Sequence, residues 1–189
     1  LTRNRYELIK AIRAQGVAVV VEIDADFHAI DHRNPAWRFA NPLTDRNTHR
    51  DWLMRSCAEA DLVTCTTPAL AKRYGHGHCV VLDNYVPRRY TNLPREPHDT
   101  VRIGWSGSTI THPGDLEETG GGVAHAIRDT GSDLFIVGTG LGVSDALQWD
   151  GPALSTEWLD IIHYPGALAR MDVGVVPLIP NDFNEAKSH

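Results

Sequence analysis

The segment VRIGWSGSTITHPGD, residues 101–115, decides how we interpret the fold, because an apolar strand runs directly into glycines and hydroxyl residues. In an open parallel α/β sheet, ligands bind at the carboxyl ends of the strands, where a glycine-rich turn lets backbone N–H groups face an anion. The segment therefore predicts one of two structures. It forms either a phosphate-binding loop or a purely structural strand-to-helix turn, with Asp115 as the cap of the next helix.

Four candidate ligand-binding residues follow from this layout. Gly104 and Gly107 would permit a close approach of the backbone to a ligand, and Ser106 and Ser108 would add hydroxyl donors. The later sequence GTGLG, residues 138–142, lacks the full GxGxxG spacing of a dinucleotide-binding turn. We therefore interpret it as a loop that borders the ligand.

Strand and helix patterns alternate on both sides of a proline-rich linker at 84–100, which indicates two α/β units. Apolar runs such as GVAVVVEID, 16–24, are typical of strands covered on both faces of a parallel sheet. We predict two Rossmann-like, doubly wound domains at 1–94 and 95–189. The predicted helices cover 6–16, 47–60, 67–75, a region ending near 129, and 155–170, and the predicted strands cover 16–24, 61–67, 79–84, 101–106, 133–137 and 173–178.

Three local patterns refine this prediction. In the helix at 67–75, Thr67 is the predicted N-cap, Pro68 the first helical residue and Gly75 the stop. The sequences AEADLVTCTTP and LARMDVGVVPL place Asp61 and Asp172 alike, between the end of a helix and an apolar strand. The triple glycine at 120–122 predicts a helix break or a close approach of ligand or backbone, and the sequence does not choose between these.

The composition excludes several classes of protein. With 42% hydrophobic and 22% charged residues, the 189-residue chain is typical of a globular protein, and its net charge of −6 does not indicate nucleic-acid binding. No apolar run has the length of a membrane span. Three cysteines without CxxC spacing predict reduced thiols and a cytoplasmic location. The chain lacks an initial Met and stops at NEAKSH without a turn, so we expect a fragment that lacks both ends.

Polar residues follow the first predicted strand, where Asp24, Asp26 and His28 lie at the edge of the sheet. Two functions remain open for them. The D-x-D pair could hold a divalent metal, as in metal-dependent glycosyltransferases of the GT-A type. Alternatively, the three side chains orient the hydroxyl of an acceptor without a metal. Lys187, after the last predicted strand, is a candidate partner for a phosphate.

Taken in order, ADLVTCTTPALAKRYG, VVLDNYVP, VRIGWSGSTITHPGDL, and LARMDVGVVPL followed by FNEAKS resemble glycosyltransferases of the GT-B fold, close to glycosyltransferase family 4. The resemblance covers nearly the whole chain. It implies two Rossmann-like domains facing a cleft, the second incomplete here, and transfer of a hexosyl group with retention. It also implies that the first domain receives an acceptor of unknown class and that no cofactor or metal is obligatory.

The resemblance places the donor, a nucleotide-diphospho sugar, at Gly104, Ser106, Gly107 and Ser108, with Lys187 near its charge. Asp24, Asp26 and His28 would be the catalytic residues on the acceptor side. The family's arginine after the first strand of the donor domain has no counterpart in GWSGST, and its paired-glutamate motif is not matched before the chain ends. A metal-dependent transferase that uses Asp24 and Asp26, and a non-catalytic module that binds nucleotide sugars, are the alternative functions.

Overall fold

The computed structural model describes residues 2–40 and 49–187. Its contacts divide the chain into two compact units: the described residues of Leu1–Tyr85 with Pro180–His189, and Val86–Ile179. These ranges differ from the predicted domains 1–94 and 95–189 at two places. Residues 86–94 belong to the second unit, and the end of the chain belongs to the first, because the Thr67 hydroxyl donates to the carbonyl of Ala186 at 2.9 Å.

The first unit is a parallel three-stranded sheet with helices packed on it. The strands β1 (Val20–Ile23), β2 (Leu62–Cys65) and β3 (Cys79–Val81) lie in that order, and Val63 of the central strand pairs with Val21 and Cys79. The helices are α1 (Arg3–Arg13), α2 (Trp37–Ala40), α3 (His49–Glu59), α4 (Pro68–Tyr74) and, at the end of the chain, α8 (Asp182–Glu185). The predicted helix at 47–60 corresponds to α3, and its predicted start at residue 47 lies outside the described residues.

The local signals around α4 are confirmed. Thr67 has extended backbone angles and its hydroxyl accepts from the amide of Leu70 at 3.3 Å, Pro68 is the first helical residue, and Gly75 closes the helix. An N-cap side chain and an N1 proline act within one turn of the chain, so they do not depend on tertiary contacts. The helix then buries Leu70 and Tyr74 against the sheet.

The strand β1 is covered on one face only, so the predicted cover on both faces is wrong. It lies at the edge of its sheet, and it buries Val21 and Ile23 while Val20 and Glu22 are exposed. This alternation is typical of a strand that packs on the core with one face. The core on the covered face consists mainly of Ile9, Val21, Ile23, Leu53, Cys57, Val63, Leu70 and Tyr74.

The second unit contains a four-stranded parallel sheet. The strands are β4 (Arg102–Gly107), β5 (Asp133–Gly138), β6 (Ala153–Thr156) and β7 (Val173–Gly174), in the order β6-β5-β4-β7. The helices are α5 (Gly122–Thr130), α6 (Val143–Leu147) and α7 (Tyr164–Leu168). Mixed α/β structure with parallel sheets is therefore confirmed, and it is consistent with a Rossmann-like fold.

The central strand β5 is buried on both faces. Leu134 and Ile136 point into one apolar cluster with Trp105, whereas Phe135 and Val137 point into another with Met171. Successive side chains of a strand point to opposite faces, so a continuous apolar run is what a doubly covered strand requires. The predicted strand at 133–137 is confirmed.

Two predicted elements of the second unit are shorter in the structure than in the prediction. The predicted helix at 155–170 overlaps β6, and only Tyr164–Leu168 is α-helical there. The predicted strand at 173–178 pairs with β4 over Val173 and Gly174 alone. In both cases pairing with a neighbouring strand, rather than local sequence, fixes the boundary.

The triple glycine is a break between helices. Gly120 and Gly121 both have left-handed backbone angles, with φ of 54° and 81°, and α5 begins at Gly122. A side chain at such angles is strained, and glycine is not. The structure therefore agrees with the predicted helix break.

Asp61 and Asp172 form the same reciprocal contact in the two units. The Asp61 carboxylate accepts from the amide of Val19 at 2.9 Å, and its own amide donates to the Val19 carbonyl at 2.9 Å. Asp172 does the same with Arg102, at 2.9 and 3.0 Å. Each aspartate thus ties the start of its strand to the neighbouring strand, which explains the similarity of the two sequences around them.

The contact at Asp172 predicts a pH-dependent stability. His98 Nε2 lies 2.6 Å from Asp172 Oδ2, and this hydrogen bond raises the pKa of His98 above its ordinary value of 6.5 and lowers the pKa of Asp172 below 3.8. The histidine's contribution is present below pH 6.5 and is lost as the pH rises through its raised pKa; the aspartate's is present above pH 3.8 and is lost as the pH falls through its lowered pKa. We expect the pair to stabilise the fold most between these two values.

Thermal melts of the wild type and of His98→Gln at several pH values measure this effect. The difference in melting temperature should be largest near pH 5 or 6 and should shrink as the pH rises through the raised pKa of His98. A difference that stays constant from pH 5 to about pH 9 would show that the ion pair contributes nothing.

Candidate functional site

The candidate site lies in the second unit, at the carboxyl ends of β4 and β5. These two strands are neighbours, and Gly107 pairs with Gly138 at their last position. The loops that follow, 108–116 and 139–142, are joined because the Thr109 hydroxyl donates to the Leu141 carbonyl at 2.8 Å. This is the edge where open parallel sheets bind their ligands.

Backbone amides and one hydroxyl at this edge lack a partner in the protein. Within the described part of the chain, the backbone N–H groups of Ser108, Thr109 and Ile110 donate to no protein acceptor. The Thr139 hydroxyl oxygen in the neighbouring loop is buried and has no hydrogen-bond partner among the described residues. Buried polar groups are nearly always paired, so this orphan hydroxyl requires an explanation. Successive free amides together with a hydroxyl are donors of the kind that bind an anion.

Two of the predicted ligand-binding residues have partners inside the protein. Gly104 is buried in the middle of β4, where an added Cβ would lie 2.5 Å from Cγ of Met171. The Ser106 hydroxyl donates to the Val137 carbonyl at 3.2 Å and lies 2.8 Å from the Tyr164 hydroxyl. Packing against Met171 therefore explains why residue 104 is a glycine. The Ser106 hydroxyl points towards β5 and α7.

Gly107 and Gly138 lie where the two strands end side by side. A Cβ added at Gly107 would lie 2.7 Å from the Trp105 ring. A Cβ added at Gly138, whose φ is +118°, would lie 2.6 Å from the Gly107 carbonyl oxygen. Backbone angles and space both require glycine at Gly138, so this position holds the two strand ends close together.

Replacing Gly138 with alanine should lower the free energy of unfolding by about 1–3 kcal/mol, because the methyl group meets backbone atoms and the angles become strained. Gly140 is a matched control in the same loop, since an added Cβ there has no neighbour within 4 Å. Gly140→Ala should change the stability by less than about 0.5 kcal/mol. Urea denaturation of both variants measures the difference, and equal stabilities would contradict the close approach.

The predicted cap at Asp115 is wrong. No helix begins there, since a short 3-10 turn, Glu117–Thr119, and the two left-handed glycines come before α5. The buried Asp115 carboxylate instead accepts from the amide of Ile179 at 3.1 Å. Its role is therefore to anchor the loop after β7 beside the loop after β4.

In the first unit, Asp26 lies in a buried polar network. One carboxylate oxygen accepts from the Arg73 guanidinium, and the other accepts from the Tyr74 hydroxyl at 2.9 Å and from the amide of His28 at 3.0 Å. Nδ1 of His28 lies 2.9 Å from the same tyrosine hydroxyl. Asp26 and His28, two of the predicted catalytic residues, thus belong to one network with Arg73 and Tyr74 from α4.

This network determines where His28 carries its proton. The Tyr74 hydroxyl has one hydrogen, which it donates to Asp26, so towards His28 it can only accept. Nδ1 must therefore carry the proton, and Nε2 keeps its lone pair. Burial, together with the positive charge of Arg50, lowers the pKa of His28, which favours this neutral form. The half-buried Nε2 is thus prepared to accept a hydrogen bond.

Asp24, the third predicted catalytic residue, is not part of the network. It is exposed, and it makes no hydrogen bond or ion pair with the residues that the structure describes. It lines a cavity of about 790 Å³ within the first unit, together with residues of α1, β1 and α3. Throughout the described ranges, no group of three or more His, Cys, Asp or Glu side chains is placed to hold a metal ion.

Lys187 follows α8 in the first unit. Its ammonium group lies 5.1 Å from the centre of the Phe183 ring, and its amide donates to the Asn184 carbonyl at 3.1 Å. The residues Gly104, Ser106, Gly107 and Ser108 belong to the second unit. The role of Lys187 towards a phosphate remains a prediction.

The sequence did not indicate several residues of these sites. Tyr74 lies four residues after Leu70 on the buried stripe of α4, a spacing typical of core residues. The ion pair between Arg73 and Asp26 joins residues 47 positions apart, and no local pattern predicts such a contact. The orphan hydroxyl of Thr139 becomes visible only when the two loops are placed side by side.

Comparison with known proteins assigns the chain to no family. No family model and no curated protein matches the chain. Among solved structures, it is similar to a Listeria monocytogenes protein assigned as a UDP-N-acetylglucosamine 2-epimerase, with 14% identity and a TM-score of 0.44. The match covers 90% of this chain and 55% of the other, so the chain spans about half the length of that neighbour. A likeness this weak indicates neither an activity nor a substrate.

In the described ranges, none of the helices has the length and apolar character that crossing a bilayer requires.

Proposed function

We propose that the chain is part of a glycosyltransferase and that its second unit binds the diphosphate of a nucleotide-diphospho sugar. The observation that supports this proposal is the set of free amides at Ser108, Thr109 and Ile110 beside the orphan hydroxyl of Thr139. Backbone donors fixed before the ligand arrives are well suited to stabilise the charge that develops on a departing diphosphate. Gly138 serves this site by letting the end of β5 lie close to Gly107 at the end of β4.

The first unit binds the acceptor in this proposal. Nε2 of His28 accepts a hydrogen bond from the acceptor hydroxyl, and Tyr74 and Asp26 hold the imidazole in the tautomer that permits this. Asp26 is then a positioning residue, and Asp24, exposed directly after β1, is the third candidate on the acceptor side. Held in this way, the hydroxyl keeps a fixed orientation, which contributes to catalysis by reducing the entropy lost on reaching the transition state.

The resemblance to family 4 adds the stereochemistry to the proposal. The bond from the anomeric carbon to the diphosphate breaks, the acceptor oxygen bonds to that carbon from the same face, and Nε2 of His28, which already accepts the hydroxyl's hydrogen bond, takes up the proton. The configuration of the sugar is therefore retained. A metal that uses Asp24 and Asp26 is disfavoured, because both carboxylate oxygens of Asp26 already accept hydrogen bonds from the protein.

Calorimetric titration of the chain with UDP, GDP and ADP tests the donor site. At least one of them should release heat at micromolar to millimolar concentration, without added metal. Incubation with the corresponding nucleotide sugars then tests for turnover, through release of the nucleoside diphosphate. No binding of any nucleotide would overturn the proposal. Binding without turnover, also in a longer chain, would instead favour a nucleotide-sugar-binding module.

A further inference from the structure

Trp158 is an exposed aromatic residue at the same edge of the sheet as the candidate site. It follows the carboxyl end of β6 by two residues, and 55% of its surface is exposed. A Cβ added at Gly138 would lie 3.5 Å from Cζ2 of Trp158 and 2.6 Å from the Gly107 carbonyl oxygen. The indole and the end of β4 therefore flank the same small space.

The environment of Trp158 differs from that of the other tryptophan near β6. Trp149 precedes the strand, is half-buried against an apolar cluster, and donates its indole N–H to the Pro152 carbonyl at 3.0 Å. The indole N–H of Trp158 donates to no acceptor among the described residues. Packing and hydrogen bonding thus account for Trp149, whereas the exposed ring of Trp158 has neither explanation.

We propose that Trp158 is the platform on which the base of the bound nucleotide stacks. This inference rests on the proposed donor site, because the amides of Ser108–Ile110 fix the diphosphate at the edge where the indole lies. Every nucleobase presents a π-face, so an exposed indole provides affinity for the nucleoside without selecting one base. Trp158 therefore explains how the site distinguishes a nucleotide from a free phosphate or pyrophosphate.

The experiment compares nucleoside diphosphates with inorganic pyrophosphate, which has the charge but no base. Calorimetry gives the Kd of UDP, GDP, ADP and pyrophosphate for the wild type, Trp158→Ala and Trp158→Phe. We expect Trp158→Ala to weaken the nucleotides about 10- to 100-fold and Trp158→Phe to weaken them less, since an aromatic face remains. The affinity for pyrophosphate should not change in either variant.

Tryptophan fluorescence supplies a second measurement with a matched control. Stacking should quench the emission of the wild type and of Trp149→Phe on addition of GDP, and the quenching should be lost in Trp158→Phe. If the wild type binds nucleotides and Trp158→Ala binds them equally well, the stacking role is overturned while the donor site stands. If the wild type binds neither the nucleotides nor pyrophosphate, the donor site and the stacking role are both overturned.

Discussion

Replacing Asp26 with alanine should lower the free energy of unfolding by about 2–4 kcal/mol, the largest effect on stability that we expect from a polar residue of the first unit. The carboxylate is buried, and the variant removes the shared acceptor of the Tyr74 hydroxyl, the His28 amide and the Arg73 guanidinium. The Tyr74 hydroxyl can turn towards His28, but the guanidinium loses its buried carboxylate partner, and breaking such a pair is strongly destabilising. Arg73 is 36% exposed, so water can solvate its charge in part, and the loss should stay below that of a fully buried pair.

Asp24 is the matched control, since it lies two residues earlier and is exposed without a partner among the described residues. Asp24→Ala should change the stability by less than about 0.5 kcal/mol. Urea denaturation of both variants gives the comparison. Similar losses in the two would contradict the network.

The same alanine variant should move the proton of His28. Without Asp26, the Tyr74 hydroxyl is free to donate to Nδ1, 2.9 Å away, and the imidazole proton should shift to Nε2. The ¹⁵N chemical shifts of the ring distinguish the two tautomers. A packing role of Asp26 alone would lower the stability and leave these shifts unchanged, so the measurement separates positioning from support of the fold.

The parts of the fold that the sequence predicted depend on neighbouring residues in the chain. Thr67, Pro68 and Gly75 bound α4 because caps and stops act within a turn. The apolar run of β5 predicts a strand because successive side chains point to opposite faces and both faces are buried. Both signals are complete within about ten residues of sequence.

The errors have a common cause in contacts between distant parts of the chain. The sequence predicted a helix from residue 155, but Ser155 and Thr156 pair with Ile136 and Val137 of β5 and therefore belong to β6. The glycines of IGWSG show the same limit at the site. The sequence predicted that Gly104 lies against a ligand. In the structure, the space beside Gly104 is occupied by the side chain of Met171. A glycine indicates that space is needed, and only the fold shows which group occupies it.

Replacing Ser108 with glutamate should weaken the binding of nucleoside diphosphates at least about 100-fold, the largest effect on binding that we expect. Its hydroxyl makes no hydrogen bond with the described residues, so the change removes no contact and adds one negative charge at the free amides. At about 4 Å and an effective dielectric constant near 20, two like charges repel by about 4 kcal/mol. A 100-fold loss of affinity corresponds to less than about 3 kcal/mol, so this repulsion is large enough to cause it.

Ser108→Gln is the matched control, because glutamine has the size of glutamate without its charge. We expect it to weaken the nucleotides less than about tenfold, so that the gap between the two variants isolates the electrostatic contribution. Titrations of UDP, GDP and ADP should be run at about 0.15 M salt and repeated at higher salt, where screening must narrow the gap if the charge is responsible. Equal affinities of the glutamate and glutamine variants would place the diphosphate away from this loop. An anion bound by these amides would be repelled by a carboxylate beside them.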